Sequence, residues 1–379
     1  MTPKQLVDRL VRPEIAALVP YASARREVSG GTVWLNANES PWNNSTVVGV
    51  NRYPDCQPPR LRSAYANYAE VAEEQVLITR GADEGIDLLF RAFCRPGQDK
   101  VSSCGPSYGM YAISAATNAV DCEILDWQGE YQLPDDFAQR CQDSKLVFVC
   151  NPNNPSGTVL APEQLETLAG QLPNSLLVVD EAYIEFCPQQ TLAKAIDRCP
   201  NLVVLRTLSK AFALAGARCG FVLANRAVIE TLEKVIAPYP VPEPVAQLAL
   251  EALSPEGLKR MQTQVAQLNA RRDALALRLS CYPGVRRVLP SKANFILFKI
   301  DHARALYDAL VAQGLLIRAY SNPQLGDWLR ISIGSDSELA QVETALKSAS
   351  RELNAKAQSQ QPIDRDTARI LAKARKETL

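Results

Sequence analysis

An α/β fold with a mostly parallel central sheet is predicted by three features of this 379-residue chain. Short runs rich in β-branched residues alternate with helical periodicity between about residues 60 and 236. Those runs are apolar throughout rather than at every second residue, as strands covered on both faces are. Polar motifs follow several of the runs directly, and open α/β sheets bind ligands at the carboxyl ends of their strands.

The run 76–79 (Val-Leu-Ile-Thr) leads into 81–85, Gly-Ala-Asp-Glu-Gly, and a helical pattern reaching Phe93. Gly81 permits a tight turn, and the first amides of the helix have no internal partner, so they suit an anion. Asp83 and Glu84 equally fit an ordinary capping turn. The run 146–149 (Leu-Val-Phe-Val) precedes 151–157, Asn-Pro-Asn-Asn-Pro-Ser-Gly, a loop sharpened by two prolines and a glycine. Within it Asn154 offers an amide to a ligand, or serves only the turn. The run 176–179 (Leu-Leu-Val-Val) ends on Asp180, with Tyr183 three residues later. A strand-end carboxylate either caps a helix or holds a protonated ring nitrogen.

The run 202–205 (Leu-Val-Val-Leu) leads into the most informative segment, 207–220. It sets Lys210 among two hydroxyls, Thr207 and Ser209, and eight residues before Arg218. Desolvation at the end of a buried strand lowers an amine's pKa and makes it a nucleophile. Hydroxyls beside a guanidinium suit a phosphate. An amine nucleophile next to a phosphate cradle is what covalently held pyridoxal phosphate requires. The last run of this half is 220–223, Gly-Phe-Val-Leu.

The text changes after 239–244, Tyr-Pro-Val-Pro-Glu-Pro, since helices rarely run through X-Pro steps. A long helical pattern over 245–280 is followed by strand-like runs at 295–298, 315–317 and 328–333 and by helices near 303–313 and 337–348. This predicts a smaller α+β domain over 241–350, after a large domain over 41–240 and an N-terminal arm over 1–40. Residues 351–379 read as a polar, basic tail, solvated or forming a short helix.

Composition removes several function classes. Lys+Arg and Asp+Glu are equal, 41 against 41, so no basic excess points to nucleic acid. No apolar stretch reaches membrane-spanning length, and the first residues lack an apolar signal region, so a cytoplasmic protein is expected. The ten cysteines are scattered without a CxxC pair and read as reduced thiols. The single histidine, His302, excludes histidine triads and multi-histidine metal sites, and no metal is expected. There is no GxGxxG or GxxxxGK segment to suggest a dinucleotide or a nucleotide phosphate loop.

The motifs at 151–157, 180–183 and 209–218, in this order and spacing, resemble the fold-type I pyridoxal-phosphate aminotransferases, and more narrowly the histidinol-phosphate aminotransferase family. Supporting segments are 32–39, 51–58, 80–85, 106–111 and 328–334, so the resemblance runs from about residue 5 to 348. It implies that Lys210 is joined to the cofactor and moves the proton, that Asp180 pairs with the ring nitrogen, and that Asn154 and Tyr183 hold the phenolic oxygen. Tyr108 would stack on the ring, while the amides of Ala82 and Asp83, with Ser209 and Arg218, would bind the phosphate. Tyr53 would reach that phosphate from the neighbouring subunit of a homodimer. Arg330 would grip the acidic group of the substrate, with Tyr21 of the arm closing the pocket and Asn154 also touching the substrate. The implied reaction moves the amino group between L-histidinol phosphate and 2-oxoglutarate.

One departure stands out. The family usually carries a second arginine eleven residues past the position of Arg330, and here that residue is Gln341. A neutral amide does not replace a bidentate phosphate clamp. A broad or aromatic aminotransferase, or a decarboxylase of a phosphorylated amino acid, therefore stays open beside the first reading, as does a non-catalytic sensor that keeps the cofactor as a ligand.

Overall fold

The computed structural model describes residues 2–21 and 32–359, with side chains to residue 353. Residues 360–379, which hold most of the expected tail, lie outside the described residues. The chain divides into two compact units, Met1–Asp273 with Leu289–Ile296 and Ala274–Val288 with Leu297–Leu379.

The first unit is built on a seven-stranded sheet. In chain order its strands are β1 (Val76–Thr79), β2 (Lys100–Gly105), β3 (Asp121–Asp126), β4 (Ser144–Cys150), β5 (Leu176–Asp180), β6 (Leu202–Thr207) and β7 (Gly220–Ala224). Their spatial order is β1-β7-β6-β5-β4-β2-β3. The pairs β2–β3, β2–β4, β4–β5 and β5–β6 are parallel, and β7 lies antiparallel between β6 and β1. It follows that β1 runs in the same sense as β6, and the carboxyl ends of β1, β4, β5 and β6 share one edge. The amino end of β7 meets them there, because Gly220 pairs with both Thr79 and Thr207.

The unbroken apolar runs have a simple cause: each strand feeds two cores. Val147, Val149, Leu177, Val179, Val204 and Phe221 pack on one face. Their chain neighbours Leu146, Phe148, Leu176, Val178, Val203 and Val222 pack on the other. The helix Ala82–Phe93 covers the second face with Ile86, Leu89, Phe90 and Phe93, spaced three and four apart. Asp83 and Glu84 in its first turn and Arg91 in its last complement the helix dipole. β2 and β3 escaped the sequence reading because Lys-Val-Ser-Ser-Cys-Gly and Asp-Cys-Glu-Ile-Leu-Asp are not apolar runs.

The helical text after the prolines forms two helices, Glu243–Ala252 and Pro255–Ser280. Pro255 has no amide to continue the first and starts the second. The second unit contains β8 (Val285–Val288), most of β9 (Phe295–Ile300), β10 (Arg318–Ala319) and β11 (Trp328–Ser332), paired in the order β10-β11-β9-β8. The helix Ala303–Val311 starts at an exposed His302, and the closing helix Asp336–Ser359 continues past Ser348. All ten cysteines are free thiols. No helix among the described residues is long and apolar enough to cross a membrane.

One buried charge group locks β5 to β6. Arg206 donates from Nε to Glu181 Oε2 at 2.7 Å, from Nη2 to Thr191 Oγ1 at 2.7 Å and from Nη1 to Glu185 Oε1 at 3.4 Å. The backbone amide of Leu192 donates to Glu181 Oε1 at 2.6 Å. All three charged side chains are buried, and burial pushes the Glu185 carboxyl up to about 7. Removing the cation strands two buried carboxylates, so Arg206→Ala is expected to cost about 3–5 kcal/mol of stability. Urea unfolding of the variant against wild type measures it.

Candidate active site

Five loops meet at the carboxyl edge of the first unit's sheet, those after β1, β2, β4, β5 and β6. β1 delivers Gly81, whose left-handed backbone (φ 81°) turns the chain into the helix Ala82–Phe93. β7 starts at Gly220, where a Cβ would stand 2.6 Å from the Ala82 nitrogen and 2.5 Å from the Gly81 carbonyl carbon. A Cβ on Gly81 would meet Arg218 Nη2 at 2.8 Å. These two glycines let the helix start, β7 and Arg218 close on one another.

Arg218 itself sits in the left-handed region (φ 53°), a costly backbone for a side chain and one that marks functional sites. Its Nη2 donates to Asp83 Oδ2 at 3.1 Å, and its Nη1 donates to the Ala215 carbonyl at 3.1 Å and to Ser209 Oγ at 3.4 Å. Thr207 Oγ1 donates to Ser209 Oγ at 2.9 Å and accepts from the Ser209 amide at 3.1 Å. Helix amides, two hydroxyls and a guanidinium thus converge on one spot. The carboxylate of Asp83 belongs to the same cluster, because it also accepts from the Tyr108 hydroxyl at 2.9 Å. The family resemblance assigns the phosphate only the amide of Asp83, and its carboxylate otherwise reads as part of a capping turn.

Deeper in the edge lies Asp180, buried at the end of β5. Its Oδ2 accepts from the Tyr111 hydroxyl at 2.8 Å and its Oδ1 from the Ala182 amide at 3.1 Å. Burial pushes this carboxyl up to about 6, against the pull of the Tyr111 and Ala182 hydrogen bonds and of the Lys210 charge. Lys210 Nζ stands 5.7 Å from the ring centroid of Tyr183, which packs edge-on against Phe295 at 5.2 Å. Lys210, Asp180, Tyr183, Ser209 and Arg218 are therefore neighbours at one strand edge, although they come from loops far apart in sequence.

The asparagine loop divides its labour. Asn151 binds Leu160 in both directions, donating from Nδ2 at 3.2 Å and accepting at Oδ1 at 2.8 Å. Asn153 donates to Ser156 Oγ at 2.9 Å and accepts from Ser107 Oγ at 2.8 Å. Both are buried and used by the loop, whereas Asn154 is half-buried at its crest. Among the described residues no contact ties Tyr53 or Tyr21 to this cluster. Tyr53 stacks on Tyr239 at 4.4 Å and is half exposed, and Tyr21 is exposed.

In the second unit Arg330 lies on β11, and the register places Arg318 of β10 directly opposite it. Directly opposite residues of an antiparallel pair share a face, and two like charges there repel unless an anion joins them. Arg318 also lies over the ring of Tyr320 at 5.9 Å. The sequence reading missed Arg318 because a two-residue strand shows no periodicity. The sheet register thus gives Arg330 a companion guanidinium that Gln341 does not supply.

Comparison with known proteins agrees with this geometry. The family model for aminotransferase class I and II matches residues 32–348. A histidinol-phosphate aminotransferase of Shewanella oneidensis is 50% identical over 353 residues, 91% of this chain and 90% of that protein. One from Cronobacter sakazakii is 49% identical, covering 90% of this chain and 96% of its own length. The crystal structure of histidinol-phosphate aminotransferase from Sinorhizobium meliloti in complex with pyridoxal-5'-phosphate is 26% identical with a TM-score of 0.73, covering 80% of this chain and 83% of that one. A family model matched over most of the chain, and curated relatives at half identity, establish that the chain belongs to the class I and II aminotransferase family, among the histidinol-phosphate aminotransferases.

Proposed function

We propose that the protein is a pyridoxal-phosphate-dependent transaminase that exchanges an amino group between L-histidinol phosphate and 2-oxoglutarate in histidine biosynthesis. The observation that carries this reading is the joint placement of Lys210, Tyr183 and Asp180 beside the Arg218–Ser209 cradle. The donor set fits the cofactor at each functional group. Ser209, Arg218 and the amides of Ala82 and Asp83 suit its phosphate, and the glycines leave room for the close approach. Asp180 suits its ring nitrogen, Asn154 and Tyr183 its phenolic oxygen, Tyr108 its ring face and Lys210 its aldehyde. When bound, the cofactor acts as an electron sink for the bond broken at the substrate's Cα.

The chain's residues then have distinct tasks. Lys210 Nζ takes the proton from the substrate's Cα and hands it on, a transfer that needs an amine free to swing. Asp180 keeps a positive charge at the ring nitrogen by ion pairing inside a buried site, where the pairing is stronger than in water. Tyr183, edge-on to Phe295, holds its hydroxyl in one direction. Arg330 and Arg318 grip the substrate's phosphate or the side-chain carboxylate of glutamate, since both present paired oxygens.

The protein is read as a cytoplasmic homodimer, with Tyr53 serving the cofactor of the partner subunit and Tyr21 closing the pocket. Support comes from the half-exposed Tyr53 and from the exposed apolar side chains Leu35, Trp42 and Val48 before it, since such patches mark protein interfaces. A substrate panel tests the function: L-histidinol phosphate, phenylalanine and phosphothreonine, each with 2-oxoglutarate. L-histidinol phosphate should turn over fastest, and preference for phenylalanine would transfer the assignment to an aromatic aminotransferase. Losing one charged hydrogen bond costs about 1.5–3 kcal/mol. Arg318→Ala should therefore lower kcat/KM for L-histidinol phosphate about 10- to 100-fold in steady-state kinetics.

A further inference from the structure

We propose that Tyr111 is the positioning residue that keeps Asp180 ionised and aimed at the ring nitrogen of the cofactor. The inference rests on the role of Asp180 given above and adds a residue that none of the motifs assigned. Tyr111 lies in the helix Met110–Thr117 and is almost fully buried. Its ring stacks on Phe148 at 4.8 Å with 13° between planes, and Tyr108 packs edge-on against it at 5.7 Å. Those contacts fix the ring, so the hydroxyl has one direction, and in that direction it donates to Asp180 Oδ2 at 2.8 Å.

The need for such a donor follows from the burial of Asp180. Strand packing takes the carboxylate out of water, which favours its neutral form, and a neutral acid cannot balance a cation. Four other ionisable groups face it. They are Lys210 on the loop after β6, Asp83 on the helix Ala82–Phe93, Tyr108 just ahead of Tyr111, and Cys150, its register partner on β4. Of these only Lys210 favours the ionised form by charge, and its amine is engaged in chemistry. The hydrogen bond from Tyr111 is the largest influence holding the Asp180 carboxyl down against burial. With Oδ1 tied to the Ala182 amide, both oxygens are oriented before the cofactor arrives.

Tyr111→Phe keeps the stacked ring and removes only the donor. Asp180 can be titrated in the cofactor-free protein by the infrared carbonyl band of its protonated form, with Asp180→Asn identifying the band. The midpoint should rise by about one to two pH units in Tyr111→Phe. The pH below which the affinity for pyridoxal phosphate starts to fall should rise with it. A second variant guards against a folding defect: 3-fluorotyrosine placed at position 111 donates a stronger hydrogen bond and should lower the midpoint. An unmoved midpoint in both proteins, or a loss of cofactor affinity equal at every pH, overturns the proposal. The infrared reading needs no turnover, so it stands or falls separately from the transaminase assignment.

Discussion

Replacing Lys210 by alanine is expected to reduce turnover about 10⁴-fold or more, the largest effect of any single substitution in this chain. The amine has two tasks, holding the cofactor and moving the Cα proton, and alanine performs neither. The phosphate cradle of Ser209, Arg218 and the helix amides is untouched by the change, so cofactor should still bind noncovalently. Single-turnover kinetics with L-histidinol phosphate, alongside equilibrium dialysis of the cofactor, separates lost chemistry from lost binding. Turnover within tenfold of wild type would remove Lys210 from the mechanism.

Asp180→Asn should come next, lowering kcat about 10²- to 10³-fold, or about 2.7–4 kcal/mol. The substitution keeps the shape, but an amide has a single accepting oxygen: with that oxygen on the Ala182 amide, the new NH2 faces the Tyr111 hydroxyl as a donor. What disappears is the negative charge that balances a protonated ring nitrogen in a buried site. Binding should suffer less than the chemical step, because the phosphate cradle carries most of the affinity. Equal losses in cofactor binding and in kcat would make Asp180 an anchor rather than an electronic partner. The two variants together separate the proton carrier from the charge that stabilises the sink.

What made the fold legible in the sequence was a strand type that buries both faces. Runs such as 176–179 are apolar at every position because alternate residues serve different cores. A polar residue ending such a strand therefore announces the sheet edge, and Asp180 was visible for that reason, as was the Lys210 segment just past β6. Legibility failed where an element's role is set by its neighbours rather than its own pattern. β3 lies at the sheet's edge, buries only Leu125 and carries Asp121, Glu123 and Asp126, so no apolar run betrays it. Arg318 becomes meaningful only through its register with Arg330. Tyr111 reads as one more helix aromatic until Phe148 and Asp180 are placed around it. The break between the two helices falls at Ser254-Pro255-Glu256-Gly257, inside text whose helical periodicity otherwise runs on from 245 to 280.

Reduction of the native, cofactor-loaded protein with borohydride, followed by peptide mass mapping, tests the central claim most directly. The account predicts loss of the visible absorption band and one stoichiometric phosphopyridoxyl adduct, on the peptide that contains Lys210. A protein that transaminates fully yet shows the adduct on another lysine, or carries none after reduction, would contradict it.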